Sequence, residues 1–143
     1  TVTSPDAYAN ATAFRAVIEP AALLEVAYRL SPDVIATLRS QQMHLYERGF
    51  GTLTMGEIFQ SGCAFHEEII RGSGNPFYLE ALRRVNAIRR LLAYRTFSDR
   101  EGMRRHVREH LKLLDLIERG DHAAAAHLMQ RHLARPPRIG MKG

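Results

Sequence analysis

Cysteine is almost absent from this chain. Cys63 is the only one, which excludes a disulfide within it, and a single thiol fits a reducing cytoplasm. No apolar run approaches the roughly 20 residues that a membrane-spanning helix requires, and no charged, apolar, small-residue leader points to secretion. Alternating apolar and polar residues do not survive beside the turn signals, so no strand is predicted, and there is no internal repeat or low-complexity segment. The basic residues lack aromatic interleaving. A net charge of +5 and a pI of 9.9 suit an anionic partner. Yet Arg83, Arg84, Arg89, Arg90, Arg104 and Arg105 are scattered without a recognition-helix pattern, so the segment itself does not read as a DNA-binding element.

What is present is one soluble domain's worth of material: 143 residues, 45% hydrophobic and 24% charged. Its first residue is Thr1 rather than Met, as a segment of a longer protein would have it. The punctuation is helical. Ser4-Pro5 supplies a cap and a first-turn proline, predicting a helix that runs toward Leu30 along Phe14, Ile18, Ala21, Leu24 and Tyr28. Pro20 inside it lacks a donor and predicts a kink or a break. Ser31-Pro32 opens a second helix through Ile35, Leu38 and Leu45, ended by Gly49 and Gly51. Thr54 to Glu57 forms a capping box before a third, which Gly72 to Gly74 stops. Asn75 caps a fourth at Pro76, with Tyr78, Leu82, Val85 and Leu92 on one side. A second capping box, Ser98 to Glu101, leads into the fifth. Gly120-Asp121 separates it from a sixth, which Pro136-Pro137 ends before a loose tail from Arg138 to Gly143. The prediction is an all-α antiparallel bundle over residues 1–143 as a single domain.

Three histidines fall on apolar stripes of three helices. His66 shares a face with Phe59, Gly62, Ile69 and Ser73. His110 lies with Met103, Val107, Leu114 and Ile117, and His132 with Ala125 and Leu128. An inward imidazole needs a hydrogen-bond partner or a metal. Three imidazoles plus an oxygen donor or water suit zinc or nickel, and bundle cores build such sites from one ligand per helix. Three separately satisfied core histidines are the plain alternative. His106 falls on the side of His110, as a spare ligand, a partner of a ligand or a rim residue. His44, His122 and His127 fall on polar faces and should be solvated. Arg15 and Glu19 have the spacing of an exposed helical ion pair, worth only about 0.3–0.5 kcal/mol. Asn86 and Arg89 are polar insertions beside the fourth helix's apolar stripe, read either as pocket lining or as an exposed flank.

The order of these features resembles the C-terminal effector-binding domain of the FadR branch of GntR transcription regulators, the FCD domain. The matching pieces are Phe14-Arg15-Ala-Val-Ile-Glu19-Pro20, Ala64-Phe65-His66, Ser73-Gly74-Asn75-Pro76, Glu109-His110, Ile117-Glu-Arg-Gly120-Asp121 and Met129-Gln-Arg-His132-Leu133. The resemblance implies a bundle of six or seven helices around a buried pocket. It also implies a divalent metal on one Asp and three His, which here are His66, His110 and His132, and an Arg15 directed at a small carboxylate effector. The family's Asp position is occupied by Gly62, so water, effector or, less directly, Cys63 would fill that place, or the metal is lost.

The expected function is ligand sensing and dimerisation for a bacterial-type repressor, not catalysis. Its ligand-binding candidates are Arg15, Asn86 and Arg89. Its partners are a small organic acid, a second copy of the chain, and DNA only through an upstream winged helix absent here; no membrane is implied. Without metal, Arg15 and any protonated histidine would supply the positive charge. One alternative is a helical metalloenzyme, against which no general base stands out: Glu67 and Glu68 should project away from the face of His66. The other is a metal-free module for an apolar acyl acid.

Overall fold

The computed structural model describes residues 5–93 and 99–137. They form six long helices: α1 Pro5–Leu23, α2 Pro32–His44, α3 Met55–Arg71, α4 Pro76–Ala93, α5 Arg100–Glu118 and α6 His122–Ala134. A π-helical turn, Leu45–Gly49, and a short turn, Phe50–Thr52, extend α2. No strand occurs among the described residues, and no helix among them is long and apolar enough to cross a membrane. The fold is an all-α bundle.

The capping chemistry decides most boundaries. Ser31 accepts from the Val34 amide, and Thr54 and Glu57 exchange both bonds of a capping box. Asn75 accepts from Phe77 N at 3.1 Å. Between α5 and α6, Gly120 takes a φ of 76°, which side chains resist. Its amide reaches Ile117 O and that of Asp121 reaches Leu116 O, and the Asp121 carboxylate then starts α6 on Ala124 N at 3.1 Å. Short loops of this kind fold α3/α4 and α5/α6 into helical hairpins, while α1 packs between α4 and α6, and α2 lies on α5.

Two boundaries differ from expectation. The first helix carries Pro20 within it and ends at Leu23, short of Leu30, in a turn where Tyr28 N bonds Glu25 O. Its buried face is Tyr8, Ala11, Arg15, Glu19, Ala22 and Leu23, whereas Phe14 (43%) and Leu24 (57%) are exposed. The inward face carries Ala11 and Ala22, while the larger Phe14 points outward. The cap of α5 is Asp99, which accepts from Gly102 N, one residue past the expected Ser98. Ser4, Ser98, the tail from Arg138 and the Leu92 side chain lie outside the described residues.

Burial organises two apolar clusters. The larger joins Leu23, Leu38, Phe65, Ile69, Leu82, Leu114, Met129 and their neighbours. The smaller joins Tyr8, Leu45, Phe50, Ile58, Phe59, Cys63, Met103 and Val107. Along α3, His66 falls between Cys63 of the smaller cluster and Ile69 of the larger. Along α5, His110 falls between Val107 and Leu113 in the same way. The histidines thus occupy a polar layer between two apolar ones.

Candidate metal centre and ligand cavity

His66, His110 and His132 are each at most 4% exposed, and their Nε2 atoms stand 3.1, 3.1 and 3.2 Å apart. Each ring is fixed from behind. His66 Nδ1 donates to Glu19 Oε1 at 2.6 Å, His110 Nδ1 to Gln42 Oε1 at 2.9 Å, and His132 Nδ1 to Glu109 Oε1 at 2.8 Å. Phe65 also stacks on the His110 ring at 4.1 Å. A carboxylate or an amide oxygen only accepts, so each Nδ1 carries the proton and each Nε2 presents a lone pair. Three lone pairs facing one another, with no proton between them, repel. A cation resolves the repulsion.

The spacing fits such an ion. With metal–nitrogen bonds of about 2.0–2.1 Å, ligand nitrogens lie about 3.3 Å apart around a tetrahedral ion and about 2.9 Å apart around an octahedral one. The electrostatics agree. Burial lowers all three imidazoles below the ordinary value, and neighbouring rings and Arg15 lower His110 and His132 further, so they are neutral, as ligands must be. This removes protonated histidine as the cation of a metal-free pocket near neutral pH.

Arg15 and Glu19 are buried rather than exposed, and Arg15 Nε meets Glu19 Oε2 at 2.6 Å. Burial opposes the Glu19 charge, but the Arg15 guanidinium and His66 outweigh it and hold the carboxyl at about 2. The pair is therefore one of the site's supports: Glu19 joins Arg15 to His66.

A cavity of about 60 Å³ opens beside the triad. Arg15, Thr12, Gly62, Cys63, Arg89 and His106 line it with the three histidines; Leu45, Ile58, Phe59, Met103, Val107 and Leu133 supply its apolar wall, and Pro136 and Pro137 complete the lining. A β-carbon at Gly62 would meet nothing within 4 Å, so this position is open space. Arg89 is buried and lines the cavity, whereas Asn86 stands behind it. The Asn86 oxygen accepts from Arg89 Nη1 at 2.8 Å and its amide nitrogen donates to Glu67 Oε2 at 3.0 Å. The exposed-flank reading of both is thereby corrected.

His106 lies at the rim. Its Nε2 donates to Arg135 O at 2.7 Å, its ring centroid is 4.0 Å from that of His132, and burial holds it down to about 3 despite that carbonyl. His106, Glu109 and His132 also cluster, but the His132–Glu109 hydrogen bond accounts for that group. His44 and His127 are solvated as expected. His122 is not: it is half-buried, edge-on to Tyr28 at 5.3 Å, with Nδ1 unpartnered. Glu67 and Glu68 point away from the triad, onto Asn86 and Arg71.

Glu19, Gln42 and Glu109 were not among the sequence candidates. A signal existed for the first: Arg15 and Glu19 are in phase with Ala11 and Ala22. Gln42 likewise follows Ile35 and Leu38 at helical steps.

The sequence model of the FCD domain matches residues 10–135. The chain belongs to the FCD domain family. FCD domains are the effector-binding domains of GntR-family transcription regulators, ligand-binding rather than enzymatic, and many hold metals. No curated protein matches the chain.

Proposed function

We propose that this FCD domain senses a small carboxylate with a divalent metal, zinc or nickel, held by His66, His110 and His132, for a FadR-branch regulator in the cytoplasm. The observation that carries the reading is the convergence of three Nε2 lone pairs at 3.1–3.2 Å with every Nδ1 tied to an acceptor. Bound there, a divalent ion would supply a positive centre with positions open to a carboxylate oxygen. Gly62 adds no anionic side chain to that centre, so it keeps about two formal charges instead of one, which favours an anion more strongly. Arg15 contributes a planar fork suited to a carboxylate, Glu19 holds both Arg15 and His66, and the apolar wall takes the carbon chain.

Two copies pair by this domain and carry upstream winged helices to a palindromic operator. The acid favours one arrangement of helices, and that preference shifts the population of DNA-competent dimers. An enzyme is the weaker reading, because both carboxylates nearest the triad, Glu19 and Glu109, are committed to histidine Nδ1 atoms.

Metal analysis of wild type, His110→Ala and His132→Ala, followed by calorimetry with carboxylates and their neutral amides, tests the proposal. About one equivalent of metal in wild type, lost in both variants, and a preference for acids over amides are expected. Unchanged metal content in both variants refutes the ligand set. A metal-free wild type that binds acyl amides as well as acids leaves the apolar-acid module standing instead.

A further inference from the structure

Arg89 is a buried cation with no anion beside it among the described residues. Among the described residues no carboxylate lies within salt-bridge distance of it. Its Nη1 spends its bonds on the neutral Asn86 oxygen at 2.8 Å and on Cys63 Sγ at 3.7 Å, and its Nε has no partner. The nearest acid on that side, Glu67, is reached only through the Asn86 amide and also faces Arg83 at 3.5 Å. The guanidinium lies 5.0 Å from the Phe59 ring centre and 5.8 Å from that of Tyr8, whose own buried hydroxyl is unpartnered. Rings on two sides keep the fork in place and keep water from it. Arg15 and Arg89 face the same cavity with only Glu19 between them in charge; the Arg89 charge, after burial, is what lowers Arg15. An uncompensated buried charge is costly, and structures retain it where a ligand completes it.

Arg89 sits over Cys63 and Phe59, three and seven residues before His66 on α3. At about 1.5 Å per residue, the fork is therefore about 5–10 Å along the helix from the triad. Gly62 lies between them and leaves that stretch open.

We propose that Arg89 is a second anion-recognition subsite, and that the ligand is a short diacid with one carboxylate at the histidine centre and the other at Arg89. A separation of this size corresponds to roughly two to four methylenes between the carboxyl groups. The inference rests on the reading of the cavity as a carboxylate site and adds to it the second acid and the residue that selects it.

The test is calorimetry on the zinc-equilibrated chain with glutarate, its half-amide and butyrate. Glutarate should bind about tenfold tighter than either, since the charged hydrogen bonds to the fork are lost with the second carboxylate. Arg89→Gln should bring that ratio to within about twofold of unity, while Arg84→Gln, exposed on the same helix, keeps it. The comparison of glutarate with its half-amide needs no variant, and Arg89→Lys, which keeps the charge and loses the fork, covers a glutamine variant that fails to fold. Equal affinities for glutarate and its half-amide, or a ratio that survives Arg89→Gln, overturn the subsite while leaving the carboxylate reading intact if butyrate binds. Absence of binding by every acid overturns both.

Discussion

Gly62 offers the most direct perturbation of the site. It lies in the interior of α3, on the His66 face, where a β-carbon would meet nothing within 4 Å. Glycine inside a helix costs roughly 0.5–1 kcal/mol relative to alanine. Gly62→Ala should therefore stabilise the metal-free chain by about that amount, which for a chain of this size raises Tm by about 1–4 °C. Gly62→Asp recovers less of the helix term, because aspartate is itself a modest helix former, but it places a carboxylate four residues before His66, within reach of the triad. An added anionic ligand should tighten zinc binding about tenfold or more, and in excess zinc each tenfold adds about 1.4 kcal/mol to stability. Acid affinity should move the other way, since the new carboxylate occupies the corridor and lowers its charge. Thermal melts with and without zinc, zinc competition with a chromophoric chelator, and glutarate titration read all three quantities. If Gly62→Ala lowers Tm, the open space at this position is wrong. If Gly62→Asp leaves zinc affinity unchanged, the triad is not where the metal binds.

Glu19→Gln should cost about 3–5 kcal/mol, because it leaves the buried Arg15 guanidinium unpaired; it should also weaken zinc binding about 10- to 100-fold by loosening His66. Chemical denaturation and zinc competition check the two effects, and a variant as stable as wild type would refute the pairing. Acid should destabilise the metal-free chain in two stages. The triad imidazoles and His106 titrate lower folded than unfolded, so their contribution is complete above about pH 6.5, with each neutral histidine removing up to about 1.4 kcal/mol per pH unit below it. Glu19 contributes above the unfolded carboxyl value of 4.5 and loses that contribution as pH falls through about 2. In urea titrations, stability rising as pH falls from 7 to 5 would contradict the histidine sign, and stability rising as pH falls from 4.5 to 2 would contradict that of Glu19.

The helices and the triad were legible because capping residues and apolar periodicity agree at nearly every boundary, and because His66, His110 and His132 replace apolar residues in otherwise regular stripes. The support of the triad was less legible for a physical reason. Arg15–Glu19 has the spacing of a solvated surface pair, and only the small residues in phase with it, Ala11 and Ala22, mark that face as buried. The larger Phe14 suggested a stripe that the fold turns outward. Gln42 follows Ile35 and Leu38 on the buried stripe of α2, but that stripe does not reveal that its amide oxygen meets a histidine 68 residues away. Arg89 was ambiguous for the same reason: polarity on a helix is read as solvent exposure unless the partner helices are known. The place of Pro136 and Pro137 in the cavity lining follows a residue whose carbonyl is held by Arg105 and His106, a contact between segments 29 and 30 residues apart.

The three imidazoles and the groups behind them come from α1, α2, α3, α5 and α6. An occupant of the centre thus acts as a keystone on which five helices lean, and a shift of any one of them strains the ligand geometry of all. The exception is α4, which touches the centre with no side chain and enters the cavity through Arg89. A metal alone would leave that helix out; a ligand reaching from the triad to Arg89 would tie it to the other five. On the proposed reading the two occupants would be unequal as signals, the first bracing five helices and the second joining α4 to them.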